Sequence, residues 1–162
     1  MGGGLNLYSY VQDSNRQVDI FGWEDIWFRA LNPNDMSSLD SSGNIIPKDP
    51  TATRSAYDHV LNGSTKGYGD QYVSLTKNRK FAEKWAKNSG TDVVEIDLDK
   101  VSNNKLDLST AEGRKIHLGD VSNNPTDELR KVNKWAKGAE ELLIEGEINN
   151  SSIVKRYKPG CS

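Results

Sequence analysis

The chain has 162 residues, 35% hydrophobic and 27% charged, which suits one domain with its own core. Its formal net charge of −2 supplies no global basic field for nucleic acid, and no apolar run approaches the roughly 18–20 residues of a membrane span. The single cysteine, Cys161, excludes an intrachain disulfide, and one cysteine with two histidines offers no zinc-ligand spacing, so no metal is expected.

Residues 1–22 are rich in Gly, Asn and Ser with scattered aromatics, show no sustained period, and read as a leader or linker. The start, MGGGLNLYSYVQ, has neither the basic nor the apolar region of a secretory signal. Residues 23–162 read as one domain. WEDIWFRAL, from Trp23 to Leu31, predicts a strand ended by Asn32-Pro33. Asn32 or Asn34 caps a short helix through Leu39, closed by Ser-Ser-Gly43; residues 44–53, with two prolines, are a loop. TRSAYDHVLNG, from Thr53, predicts a helix with Ala56, Val60 and Leu61 on one face and Gly63 as its stop.

STKGYGD is a Gly-rich loop before the short strand QYVSLT. Asn78 opens an amphipathic helix, NRKFAEKWAKNSG, with Phe81, Ala82, Trp85 and Ala86 on one face and Gly90 as C-cap. That spacing assigns Phe81 and Trp85 to the core. DVVEIDL is a strand. Residues 99–125 are polar and turn-rich, with LDLS a strand edge. Thr126 begins a helix that carries Leu129, Val132, Asn133 and Ala136 in register and stops at Gly138; ELLIEGEI and SIVKRY are the last strands. Strands and helices mix without regular βαβ alternation, so the fold class is α+β.

Three features carry chemistry. Arg29 lies inside a half-buried strand, and a guanidinium there is either paired to an acid or presents its fork to a carboxylate or diphosphate. Ser74 and Thr76, at i and i+2, put two hydroxyls on one side of a strand, although Thr76 also suits a helix-capping role. AEELLIEG then sets three acids around an apolar run. On a strand Glu141, Leu143 and Glu145 share one face, and Glu140, Leu142 and Ile144 the other, so the acids are solvated strand-end charges unless a partner reaches one of them. His59 lies mid-helix, which favours packing or capping, and His117 sits in the turn-rich stretch without ligand spacing.

Phe28-Arg29, Ser74-Leu75-Thr76 and Glu141-Leu142-Leu143, in that order, resemble the Arg–Ser–Glu class of mono-ADP-ribosyltransferases. FRALNPNDM, DHVLNG, VVEIDLDKV and EELLIEGEI also resemble the transferase domains of bacterial polymorphic toxins, over about residues 26–154. The leader GLNLYSYVQDSNRQVDIFGW resembles the end of the core in Rhs/YD-repeat proteins. There an Asp-Pro-x-Gly-Leu motif precedes the toxin; Asp19-Ile20-Phe21-Gly22-Trp23 lacks its proline, which leaves autoproteolytic release without its motif.

The resemblance implies an ADP-ribosyltransferase core of mixed, mainly antiparallel strands flanked by short helices. It implies NAD⁺ as co-substrate, Glu141 as the catalytic carboxylate, and Ser74 as the residue that orients it. Arg29 would hold the diphosphate or adjoining ribose, the Ala30 backbone the nicotinamide carboxamide, Thr76 the strand end, and Tyr72 or Phe81 the nicotinamide face. It further implies an effector delivered as part of a larger protein and acting in the target-cell cytoplasm. Its partners would be a cognate immunity protein and a macromolecular acceptor, protein ahead of nucleic acid. Ala139 stands where arginine-modifying members carry a second glutamate, which argues against an arginine acceptor. A glycohydrolase using water at the same site, a non-catalytic binding module and a nuclease toxin are the competing readings. The last lacks paired histidines, an acid cluster with metal spacing and a basic groove.

Overall fold

A computed structural model describes residues 25–63 and 65–160. The leader expected at 1–22 lies outside them. Six strands form one antiparallel sheet: β1 (Ile26–Ala30), β2 (Tyr72–Thr76), β3 (Val93–Asp97), β4 (Lys105–Asp107), β5 (Glu141–Glu145) and β6 (Ile153–Tyr157), in the order β4-β5-β2-β1-β3-β6. The described residues also form five α-helices: α1 (Pro33–Ser41), α2 (Ala56–Asn62), α3 (Arg79–Ser89), α4 (Ala111–His117) and α5 (Asp127–Ala139). The expected α+β class is what the chain adopts. Among the described residues no helix is long and apolar enough to cross a membrane.

Each helix start has a local cause. Asn32 forms a capping box with Asp35, and the side chains of Ser55, Asn78, Thr110 and Thr126 accept from the backbone N–H of the third residue of the helices they open. Gly90 closes α3 in the left-handed conformation expected of a C-cap glycine, at φ 69°. The strands alternate faces. Val73, Leu75, Leu142 and Ile144 join Trp27, Leu31 and Ile96 in one core, against which α1 lays Met36 and Leu39. On the other face, Tyr72, Leu106 and Leu143 pack against α2 and α5 through Ala56, Val132 and Ala136. Phe28 and Val93 pack against Ala82 and Ala86 of α3. This second face therefore carries two separate helical layers, and the space between them is the cleft described below.

The sheet is unevenly stitched. β1 pairs with β3 along five residues and β2 with β5 along five, but the register between β1 and β2 is limited to Phe28 opposite Thr76. The middle of the sheet is thus a parted seam.

Four expectations need correction. Residues 99–125 contain a helix, α4, that the polar pattern conceals. Its apolar logic is inverted: Ile116 is 68% exposed, while Arg114 is buried and donates to Asn133 Oδ1 (3.0 Å) and the Leu108 carbonyl (3.1 Å). Phe81 and Trp85 are not core. Ala82 and Ala86 take the sheet-facing positions of α3, and Trp85, three residues on from Ala82, is more than half exposed. The helix begun at Thr126 does not stop at Gly138; it continues to Ala139, and Glu140 is its left-handed cap (φ 45°, ψ 53°). Glu140 therefore precedes the strand instead of lying on it. The helix expected from Thr53 begins at Ala56, where Ser55 supplies the cap.

Gly113 explains how α4 sits so close to β4. A Cβ at Gly113 would lie 1.7 Å from the Asp107 carbonyl oxygen, whereas one at Gly138 of α5 would meet nothing within 4 Å. Glycine to alanine inside a helix ordinarily stabilises by up to about 1 kcal/mol. Gly138→Ala should follow that rule, and Gly113→Ala should reverse it, costing on the order of 2–3 kcal/mol as α4 is pushed off the sheet. Urea unfolding of the two variants checks this; a stabilised Gly113→Ala would contradict the close packing of α4 on β4.

Candidate active site

The parted seam holds the side chains that the sequence singled out. Arg29 leaves β1 and spans the gap: Nε donates to Asp35 Oδ2 (2.9 Å), Nη2 lies 2.9 Å from the same oxygen, and Nη1 donates to the Ser74 carbonyl (2.8 Å). Asp35 is only 2% exposed and also accepts from the Asn32 N–H, so the capping box of α1 fixes the acid that fixes the arginine. These contacts use at most three of the five guanidinium N–H groups, and Arg29 still lines the cleft.

The Ala30 backbone faces the same gap. Leu31 N–H donates to the Asp92 carbonyl on the β3 side (2.9 Å), and antiparallel alternation then turns the N–H and C=O of Ala30 toward β2. There the pairing has already ended at Phe28–Thr76.

Ser74 and Glu141 meet across β2 and β5. Thr76 lies opposite Glu141 in the register and Ser74 opposite Leu143, so all four side chains share one face. Ser74 Oγ donates to Glu141 Oε2 at 2.6 Å. Thr76 is committed within the protein: its hydroxyl donates to the Ala139 carbonyl and accepts from Asn78 N–H (3.1 Å), tying the end of β2 to the end of α5. Glu140 is drawn away, accepting from Asn78 Nδ2 (3.2 Å). Glu145 is exposed and meets Gln71 Nε2 (3.3 Å) and Asn104 Nδ2 (3.2 Å) far along the strand.

The mid-helix position of His59 in α2 favours packing or capping, yet its Nε2 lies 3.2 Å from Glu141 Oε2 and its Nδ1 2.7 Å from Asp70 Oδ2. Its partners are eleven residues away in one case and on the penultimate strand in the other, so no local spacing announces them. A neutral imidazole has only one N–H, and here both nitrogens face carboxylates. Burial opposes the charge, but the bonds to Asp70 and Glu141 outweigh it and push His59 up to about 9. Burial likewise pushes Asp70 up, and the His59 cation more than reverses this, holding Asp70 below the usual carboxylate range. Glu141 is thus clamped at Oε2 by a hydroxyl and an imidazolium, which leaves Oε1 as the oxygen open to a ligand.

A cleft of about 990 Å³ opens above this cluster, near the top of the roughly 300–1,000 Å³ range of ligand pockets. Tyr72 and Phe81 both line it but differ in kind. Tyr72 is buried, donates its hydroxyl to the Arg54 carbonyl (2.9 Å) and meets His59 edge-on at 5.8 Å, so it supports the histidine from beneath. Phe81 is half-buried on the wall formed by α3 and presents its ring to the cleft. Among the described residues no group of three or more His, Cys, Asp or Glu side chains is arranged to hold a metal ion. The chain matches no protein-family model, and it matches no curated protein.

The His59 clamp has a pH signature. Its folded-state value, about 9, lies above the ordinary 6.5, so its contribution to stability is full below pH 6.5 and is lost as the pH rises through 9. The shift corresponds to roughly 3 kcal/mol. The stability difference between wild type and His59→Gln, from urea unfolding at successive pH values, should shrink by that order between pH 6.5 and 9.5. Parallel pH curves for the two proteins would show that His59 is not held as a cation.

Proposed function

We propose that the chain is an NAD⁺-dependent mono-ADP-ribosyltransferase that transfers ADP-ribose from NAD⁺ to a macromolecule. The observation that carries this reading is the hydrogen bond of Ser74 to Glu141 beside a seam that Arg29 bridges and toward which the Ala30 backbone is turned. These are the residues of the Arg–Ser–Glu resemblance, drawn together from three strands. In this reading the open N–H groups of Arg29 take the diphosphate or the adjoining ribose, since a planar fork suits paired oxygens. The Ala30 N–H and C=O take the nicotinamide carboxamide, and the Phe81 ring packs on the nicotinamide.

The bond between ribose C1′ and the nicotinamide nitrogen then breaks. Its electron pair leaves with nicotinamide, which departs neutral, and positive charge spreads over C1′ and the ring oxygen as in glycoside cleavage. Glu141 Oε1 faces that charge, and its attraction grows as the bond breaks, which is what lowers the barrier. Ser74 and His59 act as positioning residues: they hold Oε2 so that Oε1 is presented in one place. The acceptor adds to C1′ and releases its proton.

Two residues before Glu141 stands Ala139, whose carbonyl accepts from Thr76, so that position offers no second carboxylate to deprotonate the acceptor. That favours acceptors needing little help. Water is among them, and NAD⁺ glycohydrolysis at the same site is the second reading. The likeness of residues 1–22 to an Rhs core supports delivery as the toxic end of a larger effector, action in the target-cell cytoplasm, and an immunity protein as partner.

Glu141→Gln keeps the size and hydrogen bonding of the side chain but removes its charge. Turnover of NAD⁺ should fall by on the order of 10²–10³, with NAD⁺ affinity little changed. Glu145→Gln lies about 13 Å further along the strand and should stay within a few-fold of wild type. Arg29→Lys should instead weaken NAD⁺ binding, on the order of tenfold by calorimetry, because an ammonium cannot replace the fork. An active Glu141→Gln beside an inactive Glu145→Gln would overturn the assignment.

A further inference from the structure

Two tryptophans at the mouth of the cleft take no part in the chemistry above. Trp85 of α3 is 54% exposed and Trp135 of α5 is 48% exposed, and both line the cleft. Single exposed apolar side chains are ordinary on a protein surface. Here, however, two indoles stand on the two different helices that wall one opening, above the carboxylate assigned to the reaction. Phe81 extends the Trp85 side, its ring centroid 6.4 Å from that of Trp85 and tilted by 50°. On the other side, Lys131 holds Nζ 5.6 Å from the Trp135 ring centroid, and Lys134 lines the cleft beside it.

The charge on these helices is one-sided even though the chain as a whole carries −2. Their acids are occupied: Glu83 accepts from Tyr157 Oη (2.7 Å), Glu128 from Tyr57 Oη (2.6 Å), and Asp127 pairs with Arg130 (2.9 Å). Lys80, Lys84, Lys87, Lys131, Lys134 and Lys137 are all exposed, and none has an acid partner among the described residues. Flat aromatic faces set among unpaired cations are the combination that single-stranded nucleic acid uses, its bases stacking while its phosphates meet the lysines.

We propose that this mouth binds single-stranded nucleic acid and that a nucleobase is the acceptor of ADP-ribose; the proposal rests on the transferase reading above. A base nitrogen attacks C1′ with its lone pair as the nicotinamide bond breaks. Nicotinamide leaves with that bond's electron pair, and any proton displaced from the base nitrogen passes to solvent. A nitrogen lone pair needs no prior deprotonation, which matches Ala139 in place of a second carboxylate. It also matches a His59 whose two nitrogens are both engaged with acids. The acceptor class thus differs from the protein acceptor that the sequence resemblance placed first.

The test measures binding without NAD⁺. Fluorescence anisotropy of short fluorescein-labelled single-stranded RNA and DNA, titrated with the full chain, should show binding that weakens steeply with added salt. Trp85→Ala and Trp135→Ala should each weaken it roughly 5- to 100-fold. Trp85→Tyr should recover much of the loss by restoring a stacking face. Lys115→Glu, on α4, should leave binding as it is. With radiolabelled NAD⁺, the label should enter the oligonucleotide and not an added mixture of polypeptides. Absence of binding at low salt, equal binding by the tryptophan variants, or label confined to polypeptide overturns the proposal. Breakdown of NAD⁺ by the wild type without acceptor is measured in parallel. If it occurs while oligonucleotides fail to bind, only the acceptor assignment falls. If oligonucleotides bind but NAD⁺ is never consumed, the transferase reading falls and takes the transfer step with it.

Discussion

A guanidinium placed between two strands that barely pair is the constraint on which the site depends. β1 and β2 share one register pair, so the centre of the sheet lacks the ladder that ordinarily holds neighbouring strands together. Arg29 replaces part of that ladder, reaching from β1 to the Ser74 carbonyl of β2. It is held there by an acid that belongs to a helix cap, because Asp35 serves α1 and Arg29 at once. Half-buried arginine is costly unless paired, and removing one partner of such a pair leaves the other stranded at about 3–5 kcal/mol. The cap of α1, the parting of the sheet and the position of Ser74 are therefore one linked arrangement. The same parting leaves the Ala30 backbone lining the cleft.

Charge is arranged around Glu141 with similar economy. Asp70 and Glu141 would repel each other across so small a space, and His59 stands between them as a cation. The cluster then carries one net negative charge, presented at the Glu141 oxygen that neither donor holds. Ser74, opposite Leu143 in the strand register, reaches diagonally to the same carboxylate. A carboxylate fixed by two donors on one oxygen need not reorganise when positive charge develops before the other, which is the condition under which an electrostatic contribution to catalysis is largest.

Much of this was legible in the chain because its signals are local. Asn78 and Gly90 bracket α3, and its cap geometry follows directly from those two residue types. The short apolar runs around Val73, Val93 and Leu142 are strands, and they are continuous because both sheet faces are covered. Glu141 opens β5 where the apolar run Leu142-Leu143-Ile144 begins. What was not legible depends on distant partners or reversed polarity. α4 turns its arginine inward and its isoleucine outward, which defeats any reading by apolar period. His59 is defined by Asp70 and Glu141, which only the fold brings near. Trp85 has the spacing of a core residue, but two alanines already fill the contact between α3 and the sheet, so the indole is left at the mouth of the cleft.

In the proposed reaction this cleft breaks the bond between nicotinamide and ribose, which proton NMR of NAD⁺ incubated with the purified chain reads out. Free nicotinamide should appear as NAD⁺ disappears, in equal amounts, with the diphosphate intact. NAD⁺ that persists unchanged in the presence of acceptor, or that is cut at the diphosphate to release AMP, would contradict it.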